Sequence, residues 1–225
     1  VAKVTVETMF YRIIRYIAYL FFKILFRLEV KNQDYIPEEG GVIIASNHSS
    51  YLDPPLIAVS LKRRPTFIAK SSLHRIPLLG PMIKAYSISV NRNMPGPSTI
   101  KDALRVLKNG GVLVIFPEGG RSADGSLMEF KRGVGLIASL ADVPVVPVYI
   151  RGAGEALPVG ARFPRLKKIS IIFGRPLQKR SEENREVFEK RITQEIFERI
   201  KSLMVGGEGS SSLPPLTIRG GIKGE

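Results

Sequence analysis

GGVIIASNHSSYLDPP, residues 40–55, carries three signals in one short stretch. Its opening is a glycine-led apolar run of the length and composition of a buried strand. Its close, Asp53-Pro54-Pro55, reads as a helix start, because aspartate is a good N-cap and proline suits the first helical position. Between them lies a polar corner, NHSSYLD. Strand, corner, helix is a building unit of open α/β sheets, which tend to place their sites at the carboxyl ends of strands.

The unit recurs. GGVIIASN (40–47), RRPTFIAK (63–70), AYSISVNR (85–92), GGVLVIFPEG (110–119), VPVVPVYIRG (143–152) and KKISIIFGRP (167–176) are apolar runs bounded by turn signals. Helical candidates lie between them at Pro54–Lys62, Ser98–Lys108, Gly133–Ala141 and Ser181–Met204. The last has acidic residues at its start and Lys201 near its end, the polarity a helix dipole favours. The expected fold is α/β, a mainly parallel or mixed sheet flanked by helices. Three segments follow: an N-terminal helical segment (1–30), the α/β domain (31–204), and a Gly-, Ser- and Pro-rich flexible tail (205–225).

The chain has 225 residues, with 34 Lys plus Arg against 20 Asp plus Glu, a net charge of +14. That excess suits a polyanionic partner: nucleic acid, an anionic membrane surface, or an acidic protein or substrate. With no cysteine and two histidines, disulfide and thiolate chemistry are excluded and no metal site is expected. No recognisable nucleic-acid-binding module accompanies the charge, so no nucleic-acid partner is expected.

The N-terminal segment is rich in large apolar residues, but Arg12, Arg15, Lys23 and Arg27 interrupt it. On a helix these four fall within an arc of about 120°, opposite Phe10, Ile13, Ile14, Ile17, Phe21, Ile24, Leu25 and Leu28. That pattern predicts a helix lying in a membrane interface, its cations near lipid phosphates. The plainer alternative is a helix packed on the core with its basic side in water. No small-residue cleavage site follows the run, which argues against a signal peptide.

Two G-x-G pairs, GVGLIA (133–138) and GAGEAL (152–157), lack the third glycine of a dinucleotide fingerprint. There is no P-loop and no G-x-S-x-G elbow. What remains is the corner. Five residues separate His48 from Asp53, too far round a helix and on the wrong face of a strand, but a strand-to-helix corner could bring them together. Asp53 would then fix the imidazole tautomer and leave the other ring nitrogen free to take a proton. Read alone, Asp53 is equally well a helix cap and His48 a loop residue. A second corner, FPEGGRS (116–122), follows another glycine-led strand. Gly119 and Gly120 allow backbone N–H groups to approach an anion, and Arg121 offers a planar fork for phosphate. Glu118 could orient Arg121 or accept from a substrate hydroxyl.

Together, NHSSYLD and FPEGGRS resemble the first and third signature blocks of the glycerolipid acyltransferases, above all the 1-acylglycerol-3-phosphate acyltransferases. FIAKSSLHRIPLLG (67–80), SISVNR (87–92), Phe130-Lys131 with Gly133, and VPVVPVYI (143–150) extend the likeness over roughly residues 40–152. Ser87, Ser89 and Asn91 depart from the second block, while Arg92 is kept. The resemblance implies transfer of an acyl group from an acyl carrier protein or coenzyme A thioester to lysophosphatidic acid, with no bound cofactor. It implies His48 as base, Asp53 as its orienter, and acceptor-phosphate contacts from Glu118, Gly119, Gly120 and Arg121, with Arg92 and Lys70 as further candidates. It implies a monotopic protein on the cytoplasmic face of the inner membrane. Alternatives are a glycerol-3-phosphate or other lysophospholipid acyltransferase, or a basic membrane-binding protein without catalysis.

Overall fold

The protein was analysed as a computed structural model that describes residues 2–70, 87–90, 96–180 and 183–206. Strands β1 (Glu29–Lys31), β2 (Val42–Ser46), β3 (Pro65–Lys70), β4 (Ser87–Val90), β5 (Val112–Ile115), β6 (Val145–Arg151) and β7 (Ser170–Phe173) form one sheet in the order β1-β7-β6-β2-β5-β3-β4. Every neighbouring pair is parallel except β6–β7, so the sheet is mixed. All six apolar runs of the sequence contain a strand. β1 was not foreseen: three half-buried residues at a sheet edge, two of them charged, carry too weak a pattern.

Strand alternation divides the core into two layers. Val42 and Ile44 of β2 face one side, with Val112, Val114, Val146 and Phe173. That side is covered by helices α1 (Ala2–Leu25) and α2 (Asp53–Ser60), through residues such as Phe22, Leu56 and Ile57. Ile43 and Ala45 face the other side, under α3 (Pro97–Lys108), α4 (Gly133–Ala141) and α6 (Arg185–Gly206). In α6 the buried residues Phe188, Ile192, Ile196 and Ile200 recur every four positions, one stripe of the helix. This helix begins at Arg185 rather than Ser181, because Asn184 caps it, its Oδ1 accepting from Val187 N–H at 2.9 Å. Gly135, from one of the G-x-G pairs, is a packing residue: a Cβ there would lie 2.5 Å from the Glu189 carbonyl oxygen of α6. The short helix α5 (Ala153–Ala156) opens the link that reverses the chain between β6 and β7. The proposed tail lies outside the described residues from 207 onward.

α1 departs from the expected two-sided pattern. Tyr19, Phe22 and Ala18 pack into the core beneath α2. Arg15 does not face outward with the other cations: its Nη1 donates to the carbonyls of Val59 (3.2 Å) and Leu61 (3.0 Å). Gln33 adds a bond to the Ser60 carbonyl at 2.6 Å. These donors satisfy carbonyls that the end of α2 leaves unmatched, and the arginine sits at the favourable pole of its dipole. Leu28 lies past the helix end and is buried, so it too leaves the apolar face. Ile13, Ile17, Phe21 and Ile24 do remain exposed, on the side away from the core, with Arg12 and Lys23 beside them. Among the described residues, no helix is long and apolar enough to cross a membrane.

Candidate active site

β2 and β5 are parallel neighbours, in register from Val42–Val112 to Ala45–Ile115, so both polar corners leave the same edge of the sheet side by side. The asparagine before His48 extends the ladder beyond β2. Asn47 Nδ2 donates to the Ile150 carbonyl at 3.0 Å, and its Oδ1 accepts from Ile150 N–H at 2.7 Å. An amide side chain here replaces a strand backbone and fixes where His48 begins.

His48 is held on every side. Its N–H donates to Glu118 Oε1 and its carbonyl accepts from Ser122 N–H, each at 2.8 Å. Its ring stacks on Phe116, centroids 4.2 Å apart. Nδ1 lies 2.9 Å from Asp53 Oδ2. That same oxygen accepts from Ser49 N–H and Ser50 N–H, both at 2.8 Å. A carboxylate can only accept, so Nδ1 carries the hydrogen and Nε2 keeps a lone pair. The N-cap expectation for Asp53 does not hold. Asp53 is the first helical residue, Leu52 stands at the cap position without a side-chain bond, and the Asp53 carboxylate turns back into the corner.

The second corner is arranged differently. Gly119, at φ +70°, is in the left-handed region, and its N–H donates to the Phe116 carbonyl at 3.0 Å. Its amide is therefore engaged within the turn and not available to an anion, a correction to the sequence expectation. A Cβ on Gly119 would lie 2.8 Å from Cε and Nζ of Lys131, so that lysine lies across the turn. Gly120 faces open space. Glu118 is buried and does not orient Arg121. Its Oε1 takes the His48 N–H, and its Oε2 takes Met128 N–H at 3.2 Å. Burial pushes its carboxyl up to about 7, against the two backbone donors, with the nearby Asp53 charge adding to the rise.

The Arg121 guanidinium lies over the Tyr51 ring, 3.5 Å from its centroid. Its Nη1 is buried and, among the described residues, has no hydrogen-bond partner. A buried cationic donor without an acceptor is costly, and an anionic ligand oxygen would relieve it. Lys70 closes β3, the strand beside β5, and its side chain lies outside the described residues, as do Arg92 and residues 71–86. Tyr51, Phe116 and Asn47 were given no role from the sequence, and Lys131 entered only through the resemblance, in Phe130-Lys131. Tyr51 alone left a trace, an aromatic residue inside a polar corner. Among the described residues, no group of His, Asp or Glu could hold a metal ion.

A histidine oriented by a buried carboxylate, one corner from an arginine whose Nη1 no described residue satisfies, is an arrangement that could take a proton from a substrate hydroxyl. The chain belongs to the Acyltransferase family, whose profile matches residues 27–151. It is 31% identical over 152 residues to the 1-acyl-sn-glycerol-3-phosphate acyltransferase of Bacillus subtilis, covering 67% of this chain and 73% of that one. A chloroplastic 1-acyl-sn-glycerol-3-phosphate acyltransferase of Brassica napus is 31% identical over 140 residues, 60% of this chain and 40% of that one. The crystal structure of the 1-acyl-sn-glycerophosphate acyltransferase of Thermotoga maritima superposes with a TM-score of 0.71 at 25% identity, covering 88% of this chain and 83% of that one.

Proposed function

We propose that the protein moves a fatty acyl group from a thioester donor to the sn-2 hydroxyl of 1-acyl-glycerol 3-phosphate, giving phosphatidic acid for phospholipid synthesis. The observation that carries this reading is the 2.9 Å contact between His48 Nδ1 and Asp53 Oδ2, on a backbone tied to the corner that bears Arg121. Nε2 takes the hydroxyl proton as the oxygen attacks the thioester carbonyl. The tetrahedral adduct then collapses, the C–S bond breaks, and the sulfur leaves with the proton from the imidazolium. Asp53 stabilises that imidazolium throughout. Arg121 holds the acceptor phosphate, with Lys131 and the open Gly120 beside it and Lys70 and Arg92 as further cations. The donor is carried on acyl carrier protein or coenzyme A, and no bound cofactor takes part.

The acceptor's own acyl chain keeps it in a bilayer, so the enzyme works at an anionic membrane surface. The exposed Ile13, Ile17, Phe21 and Ile24 of α1 enter the interface, and Arg12 and Lys23 stay among the phosphates. Thiol release from acyl-coenzyme A, measured across an acceptor panel, tests the reading. Lysophosphatidic acid should be strongly preferred over glycerol 3-phosphate and over lysolipids whose phosphate is esterified. Equal rates on all three would remove the phosphate role of Arg121, and no thiol release would leave only a membrane-binding protein.

A further inference from the structure

Between β6 and β7 the chain reads LPVGARFPRLKK, residues 157–168. It contains four cations and no carboxylate, alternating with Val159, Phe163 and Leu166. Residues 159–168 are exposed without a break, and the next residue, Ile169, is fully buried. Phe163 is 81% exposed and Leu166 68%. A monomer gains nothing by holding these two side chains in water, and burying them would be favourable.

The segment is held at both ends. At its start the Leu157 carbonyl accepts from Ser50 Oγ at 2.9 Å, within the corner that bears His48. At its finish Ile169 N–H donates to the Phe26 carbonyl and Ile169's carbonyl accepts from Glu29 N–H, each at 3.0 Å, while Lys168 pairs with Glu29. Those partners are the residues where the chain leaves α1. In the middle, Arg165 N–H donates to the Ala156 carbonyl at 2.6 Å, which folds the segment back on itself. A cationic, apolar projection thus bridges the catalytic corner and the end of the helix assigned to the interface.

We infer that residues 159–168 form a second membrane-inserting element, with Phe163 and Leu166 entering the acyl boundary and Arg162, Arg165 and Lys167 on lipid phosphates. The inference rests on the interfacial reading of α1 but concerns a separate surface. Apolar tips among cations suit an anionic bilayer, where both kinds of side chain are satisfied at once. With a contact between the corner and α1 as well as along α1, the corner holding His48 is held at the membrane by two points instead of one.

The chain has no tryptophan, so a single introduced indole reports on one place. In the full-length protein, Phe163→Trp should shift its emission to the blue on adding vesicles of phosphatidylcholine and phosphatidylglycerol in equal parts, and lipids brominated on the acyl chain should quench it. Ile24→Trp, read in parallel, reports on α1. A shift at position 24 with none at 163 overturns the inference and leaves the α1 reading standing. No shift at either, with no flotation on the vesicles, removes both. A shift at 163 with acyl carrier protein but not with vesicles would make the segment a protein-docking surface and also overturn the inference. Independently, the double variant Phe163→Ser, Leu166→Ser should bind the same vesicles about tenfold or more weakly. It should turn over vesicle-borne acceptor more slowly while leaving a short-chain, soluble acceptor unaffected. Unchanged vesicle binding in this variant would also overturn the inference.

Discussion

The two corners of the site leave neighbouring strands in the same direction, yet they are built on opposite plans. The β2 corner is closed. Asp53 is fully buried, and a single oxygen gathers His48 Nδ1 and the N–H groups of Ser49 and Ser50. The three contacts to that oxygen span at most five residues, while the His48 backbone is held by Glu118 and Ser122. The β5 corner is open. Its carboxylate, Glu118, reaches across to the backbone of His48, 70 residues away, and its arginine keeps a donor that no described residue satisfies. The β2 corner fixes the orientation of the His48 ring through Asp53 Oδ2, although Asp53 Oδ1 is buried with no hydrogen-bond partner among the described residues. The β5 corner keeps hydrogen-bonding capacity at Arg121, as a group proposed to bind an anion would need. Glu118 links the two plans by passing the position of one corner to the backbone of the other.

His48→Ala breaks the closed corner at its functional atom. Turnover should fall by about 10² to 10⁴, the usual worth of general-base catalysis, with the melting temperature nearly unchanged. A variant retaining more than about a tenth of the activity would deny His48 the role of base. Asp53→Ala removes the base's orienter and also orphans two backbone donors at roughly 1–3 kcal/mol each, so activity and stability should fall together. Asp53→Asn keeps one acceptor oxygen and should preserve more of the fold than of the turnover.

Arg121→Lys addresses the open corner. It keeps the charge but loses the planar fork. The KM for lysophosphatidic acid should rise roughly 10- to 100-fold, the worth of a hydrogen bond to a charged group, while kcat changes less. Acceptor saturation indistinguishable from the parent would place the phosphate elsewhere.

Glu118→Gln tests the link through pH. The folded-state pKa of Glu118, about 7, lies above the ordinary 4.5, so the folded state binds a proton that the unfolded chain has already lost across that window. Stability from this group is full below about pH 4.5, falls as pH rises towards 7, and is level above it, a change of about 3 kcal/mol. Chemical denaturation of parent and variant between pH 4.5 and 8 should therefore show a difference that changes with pH. Parallel curves would mean that Glu118 is ionised throughout.

Tyr51→Ala carries the smallest expected effect. It removes the ring beneath Arg121, and an exposed cation–π contact is worth about 0.5–1 kcal/mol, so acceptor KM should rise roughly two- to fivefold. Tyr51→Phe should restore it. Failure of rescue would implicate the phenol oxygen instead of the ring face.

The sheet's strands were legible because each is a short apolar run between turn residues, and the sequence order of those runs brings β2 and β5 into view as similar units. β1 was not, since an edge strand of three half-buried residues buries too little to need a pattern. His48 and Asp53 were legible as a pair because the corner joining them is local. Arg121 could be read as a candidate phosphate-binding residue from its type and its glycine neighbours, but its stack on Tyr51 could not, nor could the engagement of the Gly119 amide by the Phe116 carbonyl. Arg15 is the plainest case. Helical spacing placed it with Arg12 and Lys23, and only the arrival of α2 turned it inward to the Val59 and Leu61 carbonyls.

By itself the sequence determined what depends on residue type and short separation: an α/β chain, a histidine and an aspartate that one corner can pair, an arginine among glycines and an excess of cations. Tertiary structure decided how those groups divide their hydrogen bonds. Glu118 is a brace for His48, Arg15 completes α2, and Phe163 and Leu166 stay bare between the catalytic corner and α1. Each of these outcomes depends on which backbone group from a distant part of the chain comes within about 3 Å, the reach of a hydrogen bond. Periodicity along one segment carries no information about that distance, because it is set only when separate elements pack.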